Sequence, residues 1–362
     1  MFRWVLLALL AISGIAIILS GSAEEIRIGV SAPASGPVAQ IGTWAVNGMV
    51  LAVDEINGAG GINGKPIRLL IEDDKCSASE GIRTINKLVY NDRVSILIVY
   101  CGAVTGTAAS LAENSSVIYS ISVRTEPLEG RYPFLFSMAP PPELEAKLIS
   151  QHMISRNISR VTILHQSDFF GETYKNKFKK SFAEMGGIVS LEGSLDNFQS
   201  PDFRSDISKA KEAGADAIFT SFNPAQYGII LRQAKELGFN GSFYSVWNTQ
   251  SSLMLNVSGE LAEGIIYTYS FKEPETEKYK NFRKRYTERF GTEPDYNAAN
   301  GYDAIMIASA ALKKCREYEC IINNTRNISH TGFSGTFSFV NGSATKDVFL
   351  KTVRNGTFEE LK

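Results

Sequence analysis

The sequence predicts an α/β protein made of two doubly wound units laid end to end. Three observations carry this expectation. Strand-length apolar runs alternate with helix-length amphipathic stretches, the pattern of parallel sheets covered on both faces. The alternation restarts after Pro140-Pro141-Pro142. The chain has 362 residues, about twice what one hydrophobic core organises.

The elements follow in order. Ile26 to Val30 is a β-rich run that ends in the turn Pro33 to Pro37. Between Thr43 and Ile56, Trp44, Met49, Val50, Val53 and Ile56 recur near one face of a helix, and Asn57 to Gly61 stops it because glycine takes left-handed angles freely. Next come a strand at Ile67 to Glu72, a helix at Ser79 to Tyr90, an apolar strand at Val94 to Tyr100, a helix at Val104 to Glu113 and a strand at Val117 to Val123. The second unit reads helix Glu143 to Ser155, strand Val161 to His165, helix Glu172 to Met185, strand Ile188 to Leu191 and helix Asp202 to Ala213. Strand Ala217 to Ser221, helix Ala225 to Leu237 and strand Phe243 to Val246 complete it. A last section holds strand Ile265 to Tyr269, helices Glu275 to Phe290 and Tyr296 to Lys314, and a β-rich tail from Phe333 to Phe358.

Met1 to Ala23 has a basic start at Arg3, an uncharged apolar stretch from Trp4 to Leu19 and small residues at Gly21 and Ala23. These are the parts of a secretory signal peptide, with a retained membrane anchor as the other reading. No cysteine lies nearby to carry a lipid. The expected location is therefore the periplasm or the outer cell surface. Four cysteines in an exported chain read as disulfides before metal ligands or nucleophiles. Cys76 and Cys101 each sit where a strand passes into a loop, and neighbouring strands can bring them together; closing that loop contributes ~3.5 kcal/mol by the chain-entropy argument. Cys315 and Cys320 end a helical stretch and can close a small loop. The only histidines are His152, His165 and His330, so no metal site is expected.

Lys+Arg 37 against Asp+Glu 38 leaves a net charge of -1 without a basic stripe, which argues against nucleic acid as a partner. Eight Asn-x-Ser/Thr sequons, at Asn114, Asn157, Asn240, Asn256, Asn323, Asn327, Asn341 and Asn355, make a surface glycoprotein a further expectation.

Enzyme chemistry finds little support. The loop after the first strand reads Ser31-Ala32-Pro33-Ala34-Ser35-Gly36, not the glycine fingerprint of nucleotide binding, and neither a Walker phosphate loop nor a G-x-S-x-G elbow occurs. His165, at a strand end, reads as a structural donor rather than a general base. Asp73 and Asp74 are neighbours on a strand and point to opposite faces, so they read as loop caps. No cofactor is expected.

Binding finds more. Open parallel sheets take ligands at the carboxyl ends of their strands. Here those ends are the loops Ala32 to Gly42 (with Ile41), Tyr100 to Thr105, Ser122 to Thr125 (with Val123 and Arg124), Gln166 to Gly171, Phe222 to Ala225 (with Asn223) and Val246 to Gln250. They come from both units, so the expected site is a cleft between two lobes joined by three hinge crossings. Gly102 and Ala103 open a helix and offer backbone N–H groups to a carboxylate or amide oxygen, Thr125 adds a hydroxyl, and Phe170, Phe222 and Trp247 supply an aromatic wall.

Several stretches then resemble one family, the leucine/isoleucine/valine-binding proteins of ABC importers, which are type I periplasmic-type solute-binding proteins. They are Ser35 to Gly42, Asn47-Gly48 with Asp54 to Asn57, Gly60 to Gly64, Asp73 to Cys76 with Cys101, Phe170-Gly171-Glu172, Leu231 to Ala234 and Tyr302-Asp303-Ala304. The resemblance implies two Rossmann-like lobes joined by a three-stranded hinge, capture of a small ligand by lobe closure, delivery to a membrane permease, and a monomer. It implies lobe 1 at 24–138 plus 272–332 and lobe 2 at 139–271 plus 333–362. Thr125 matches a threonine that holds an amino-acid head group, and Cys76 and Cys101 match a disulfide pair. Gly102 stands where relatives often have serine, Trp247 where they have the acidic residue that takes an ammonium, Phe170 where they have tyrosine, and Arg124 where they have a small residue. A buried ammonium without a partner is costly, so an amide, a carboxylate or an aromatic acid competes with an amino acid as ligand. The alternatives are an extracellular sensing lobe and, from another class, a secreted α/β hydrolase.

Overall fold

A computed structural model describes residues 24–121, 131–195 and 201–361, so the signal segment and the candidate residues Val123, Arg124 and Thr125 lie outside the described part. The first unit runs β1 (Ile26–Ala32), α1 (Ala39–Gly58), β2 (Ile67–Asp73), α2 (Ala78–Asn86), β3 (Ile96–Val99), α3 (Gly102–Leu111), β4 (Val117–Ser120) and β5 (Leu135–Ser137). Its strands pair in parallel in the order β2-β1-β3-β4-β5, with Ile28 beside Leu69 on one side and Ile96 on the other. Every residue of β3 and β4 is buried, as a strand covered on both faces requires. Ile28, Val30, Ile96 and Ile98 are wholly inaccessible to solvent, and each such side chain stabilises the lobe by roughly 1.5–3 kcal/mol. After α2 the chain widens into a single π turn over Lys87–Asn91 before β3.

The second unit runs α4 (Pro142–Ser155), β6 (Arg160–Gln166), α5 (Phe169–Glu184), β7 (Ile188–Leu195), α6 (Arg204–Glu212), β8 (Ala217–Ser221), α7 (Pro224–Glu236), β9 (Ser242–Ser245), α8 (Ser252–Ser258) and β10 (Ile266–Tyr269). The parallel order is β7-β6-β8-β9-β10. Phe178 stacks on Phe219 at 4.1 Å between ring centroids, which fastens α5 to the middle of this sheet.

The chain then returns to the first lobe as α9 (Glu277–Phe290), α10 (Tyr296–Leu312) and α11 (Tyr318–Arg326). Helix α10 lies directly on α1. A Cβ on Gly48 would sit 1.9 Å from the Ala298 carbonyl oxygen, and one on Gly301 would sit 2.1 Å from that of Ala45, so only glycine permits this crossing. The short pairs β11 (His330–Thr331) with β12 (Thr336–Phe337), and β13 (Phe339–Val340) with β14 (Ser343–Ala344), follow; β15 (Phe349–Arg354) and β16 (Thr357–Glu360) end the chain as antiparallel edge strands of the second sheet.

This placement corrects the division expected from sequence. Strands β13 and β14 belong to the first sheet, because Ser343 pairs with Ser137 and the Gly342 carbonyl accepts from the Ser137 amide at 2.7 Å. The chain therefore crosses back to the second lobe at 345–348, not at 332–336. The other two passages between the sheets lie at 138–141, between β5 and α4, and at 270–276, between β10 and α9. Strands of two residues carry too little periodicity to be assigned to a sheet from sequence.

Candidate functional site

A cavity of about 320 Å³ opens between the carboxyl ends of the two sheets, a size suited to one small organic molecule. Residues at the N-termini of α1, α3, α5, α7, α8 and α10 line it. Asp168 caps α5 by accepting the Gly171 amide, Asn223 caps α7 by accepting that of Gln226, and Asp295 caps α10 by accepting that of Ala298. Pro224 follows Asn223 at the first helical position, where its missing N–H costs nothing. Among the described residues, helices α1 and α3 have no side-chain cap. The first residues of α3, Gly102 and Ala103, line the cavity, so their amides and the positive end of the helix dipole face it.

The opposite wall is aromatic. Trp247 lies on a short 3-10 turn after β9 and is 9% exposed. Its ring stands edge-on to Phe170 at 6.2 Å and to Tyr296 at 6.0 Å, and Tyr296 continues the row to Tyr269 at 5.9 Å. Trp44 and Tyr100 face the cavity from the first lobe, with the Tyr100 hydroxyl donating to Asn297 Oδ1 at 2.7 Å. Such a wall buries apolar ligand surface and leaves edges and amides for polar contacts.

Among the described residues the lining has two carboxylates, Asp168 and Asp295, and no lysine, arginine or histidine. Both carboxylates are already engaged. Asp168 accepts from Gln166 Nε2 as well as from the Gly171 amide, and Asp295 accepts from Asn297 Nδ2 at 2.7 Å as well as from Ala298. Burial pushes the Asp295 carboxyl up, against the pull of those hydrogen bonds. A third carboxyl, Glu145 of α4, accepts from the Tyr174 hydroxyl at 2.7 Å and from Thr268 Oγ1. Burial raises it to about 7, against those two bonds and one from the Trp247 backbone.

The structure brings together Ile41, Gly102, Ala103, Phe170, Asn223 and Trp247, all of which line the cavity. It corrects Phe222. That ring is buried against Phe203 at 4.9 Å and does not reach the cleft, because the step out of β8 turns it inward; its carbonyl instead accepts Asn248 Nδ2 at 2.7 Å and so holds a lining residue. Sequence reasoning missed Trp44, Tyr269, Asp295, Tyr296 and Asn297. The Asp-Tyr-Asn run at 295–297 carried a signal in its capping aspartate. What it lacked was any sign that α10 packs across α1 and so presents its N-terminus to the cleft.

Both expected disulfides are present: Cys76–Cys101 and Cys315–Cys320, with Cα–Cα distances of 5.4 and 6.3 Å. The first joins the ends of β2 and β3 at the cavity wall. Asp73 accepts from the Ala34 and Lys75 amides and from Ser35 Oγ, and Asp74 from Ser31 Oγ and the Cys76 amide, so both act as loop caps. His165 is buried with Nδ1 3.0 Å from the Gln166 carbonyl and lies outside the cavity lining.

Known proteins resemble this chain in sequence and in fold. Residues 25–357 match the periplasmic binding protein family. The leucine-, isoleucine-, valine-, threonine- and alanine-binding protein of Pseudomonas aeruginosa is 27% identical over 316 residues, covering 86% of this chain and 84% of that one. Among solved structures, the branched-chain amino acid substrate-binding protein LivJ of Streptococcus pneumoniae, in complex with isoleucine, superposes with a TM-score of 0.83 at 24% identity, over 93% of this chain and 99% of that one. A solute-binding protein of R. palustris in complex with benzoate gives a TM-score of 0.83 at 17% identity, over 93% and 96%.

Proposed function

We propose, from the premise that the chain belongs to the periplasmic binding protein family, that it is the extracytoplasmic solute-binding component of a branched-chain-amino-acid-type ABC importer. It captures one small amino acid, amide or carboxylate-bearing ligand between its lobes and delivers it to the membrane permease. The chain is exported by its N-terminal segment, and the capture step uses no covalent chemistry.

The observation that carries the reading is the pairing, across one cavity, of an uncapped helix N-terminus at Gly102 and Ala103 with the aromatic row Phe170, Trp247 and Tyr296. The first suits an oxygen with negative charge or a strong dipole, and the second suits an apolar body. Relatives in complex with isoleucine and with benzoate present this combination in their ligands. Within that range the cavity favours a ligand without an ammonium group, because Trp247 occupies the wall and the nearby carboxylates already hold donors. An ammonium would have to share these engaged carboxylates or take Asn248 Oδ1, a buried acceptor of the lining without a partner among the described residues, as its contact.

A thermal-shift screen with leucine, isoleucine, valine, alanine, threonine, their amides, benzoate and short carboxylic acids tests this, because a ligand that binds only the folded chain stabilises it by about 2.7 kcal/mol at a hundred times its Kd. At least one is expected to raise the melting temperature, with aromatic or aliphatic acids above amino acids. If none of these classes binds, the reading is wrong.

A further inference from the structure

We infer that this protein is N-glycosylated at Asn157, Asn240, Asn327 and Asn355, by transfer of an oligosaccharide from a lipid phosphate carrier. The inference rests on the export contained in the preceding reading, and on two observations that reading does not use.

The first is abundance. With 21 asparagines and 55 serines plus threonines in 362 residues, chance gives about three Asn-x-Ser/Thr sequons, whereas the chain has eight, none with proline in the middle. The second is placement. All eight sequon asparagines are exposed and none lines the cleft. Asn114, Asn157, Asn341 and Asn355 hold left-handed turn conformations with φ between 49° and 60°. The side chains of Asn114, Asn157, Asn240, Asn256 and Asn355 make no hydrogen bond among the described residues. Asn327 differs, its Nδ2 donating to the Asn323 carbonyl at 2.9 Å. Several asparagines outside sequons are engaged in holding the fold. Asn57, Asn63, Asn86, Asn223, Asn297 and Asn300 each use the side-chain amide to hold a loop, a helix or the cleft.

The third sequon position then divides the eight. The Ser/Thr hydroxyl at that position must meet the transferase, because it orients and activates the asparagine amide. Ser116, Ser258, Thr325 and Ser343 are buried; the first three donate to the carbonyls of Val94, Met254 and Ile321. Ser159, Ser242, Ser329 and Thr357 are exposed. In the folded protein, therefore, only Asn157, Asn240, Asn327 and Asn355 present both halves of the signal. In the transfer, Asn Nδ2 forms a bond to C1 of the carried sugar, the C1–O bond to the lipid phosphate breaks with its electron pair going to the phosphate, and the amide proton passes to a base of the transferase.

The test is glycopeptide mass mapping of the full-length protein isolated from the cells that make it, beside the Ser242→Ala and Ser329→Ala variants expressed in the same cells. The expected result is sugar mass on the four peptides with exposed hydroxyls, lost at Asn240 in the first variant and at Asn327 in the second. Recovery of all four peptides only in unmodified form overturns the proposal. So does sugar that occupies Asn114, Asn256, Asn323 and Asn341 as fully as the other four, since folded-state accessibility would then select nothing. Protein made in cells without the transferase should bind solute equally well, so a failed ligand screen and a missing glycan report on different claims.

Discussion

Trp247 of the second lobe stands edge-on to Tyr296 of the first, with ring centroids 6.0 Å apart and planes at 60°. Their contact spans the cleft, so the same side chain that walls the cavity also touches the opposite lobe.

Truncating that indole should act on binding. Trp247→Ala is expected to weaken the ligand found by screening on the order of 100-fold, about 3 kcal/mol, through lost aromatic packing. Phe222→Ala should cost about 3–5 kcal/mol of folding stability and leave the affinity of the folded fraction unchanged, because its ring lies in the core. Calorimetry paired with denaturant titration separates the two, and equal losses of affinity in both variants would contradict this placement.

Glu145 predicts a pH dependence. Its carboxyl rises from 4.5 to about 7 on folding through burial, so the native state holds the proton more tightly than the unfolded chain does. Below about 4.5 both states are protonated; between 4.5 and 7 only the folded one is, and stability falls as pH rises, by about 3 kcal/mol in total. Glu145→Gln should remove that slope. Unfolding free energies of both proteins across the window, if they fall in parallel, would refute the assignment.

Lys346, in the third crossing, predicts the opposite slope at higher pH. Its amine donates to Asn300 Oδ1 and lies 4.2 Å over the Phe337 ring, and burial lowers it from 10.5 to about 7 despite the charge of Asp303. Between those values the unfolded chain binds a proton that the folded chain does not, so stability should rise with pH. Lys346→Met is expected to flatten the rise in chemical denaturation measured from pH 7 to 10. An unchanged rise in the variant would place its origin elsewhere.

The two disulfides should differ in worth. Removing Cys76–Cys101 by paired serine substitution should cost up to ~3.5 kcal/mol and removing Cys315–Cys320 ~2 kcal/mol, because the first closes the longer loop. Midpoints in guanidinium check the order, and mass spectrometry of an unreduced digest checks the pairing. Free thiols at Cys76 and Cys101 in exported protein would sink the claim.

Saturating ligand should close the lobes about the crossings at 138–141, 270–276 and 345–348. Solution scattering is expected to show a smaller radius of gyration in the bound form. An identical radius at full occupancy would exclude hinge closure.

By itself the sequence determined the two parallel sheets, both disulfides and half of the cleft. Strands such as Ile96–Val99 are apolar at every position, a local property that survives without knowledge of neighbours, and loops at strand ends are bound to gather at one edge of a parallel sheet. Tertiary structure decided what depended on contacts distant in sequence. Phe222 and Trp247 are both aromatic residues just past a strand, yet the turn after β8 buries one against Phe203 while the 3-10 turn after β9 holds the other against Tyr296. Asp295, Tyr296 and Asn297 entered the cleft only because Gly48 and Gly301 let α10 lie on α1. The last crossing moved to 345–348 because a single pairing, Ser343 with Ser137, keeps a two-residue strand on the first sheet. Local pattern reports which face of an element is buried, but the partner that buries it, and hence the direction each loop residue finally points, is set by packing between segments that sequence order does not bring together.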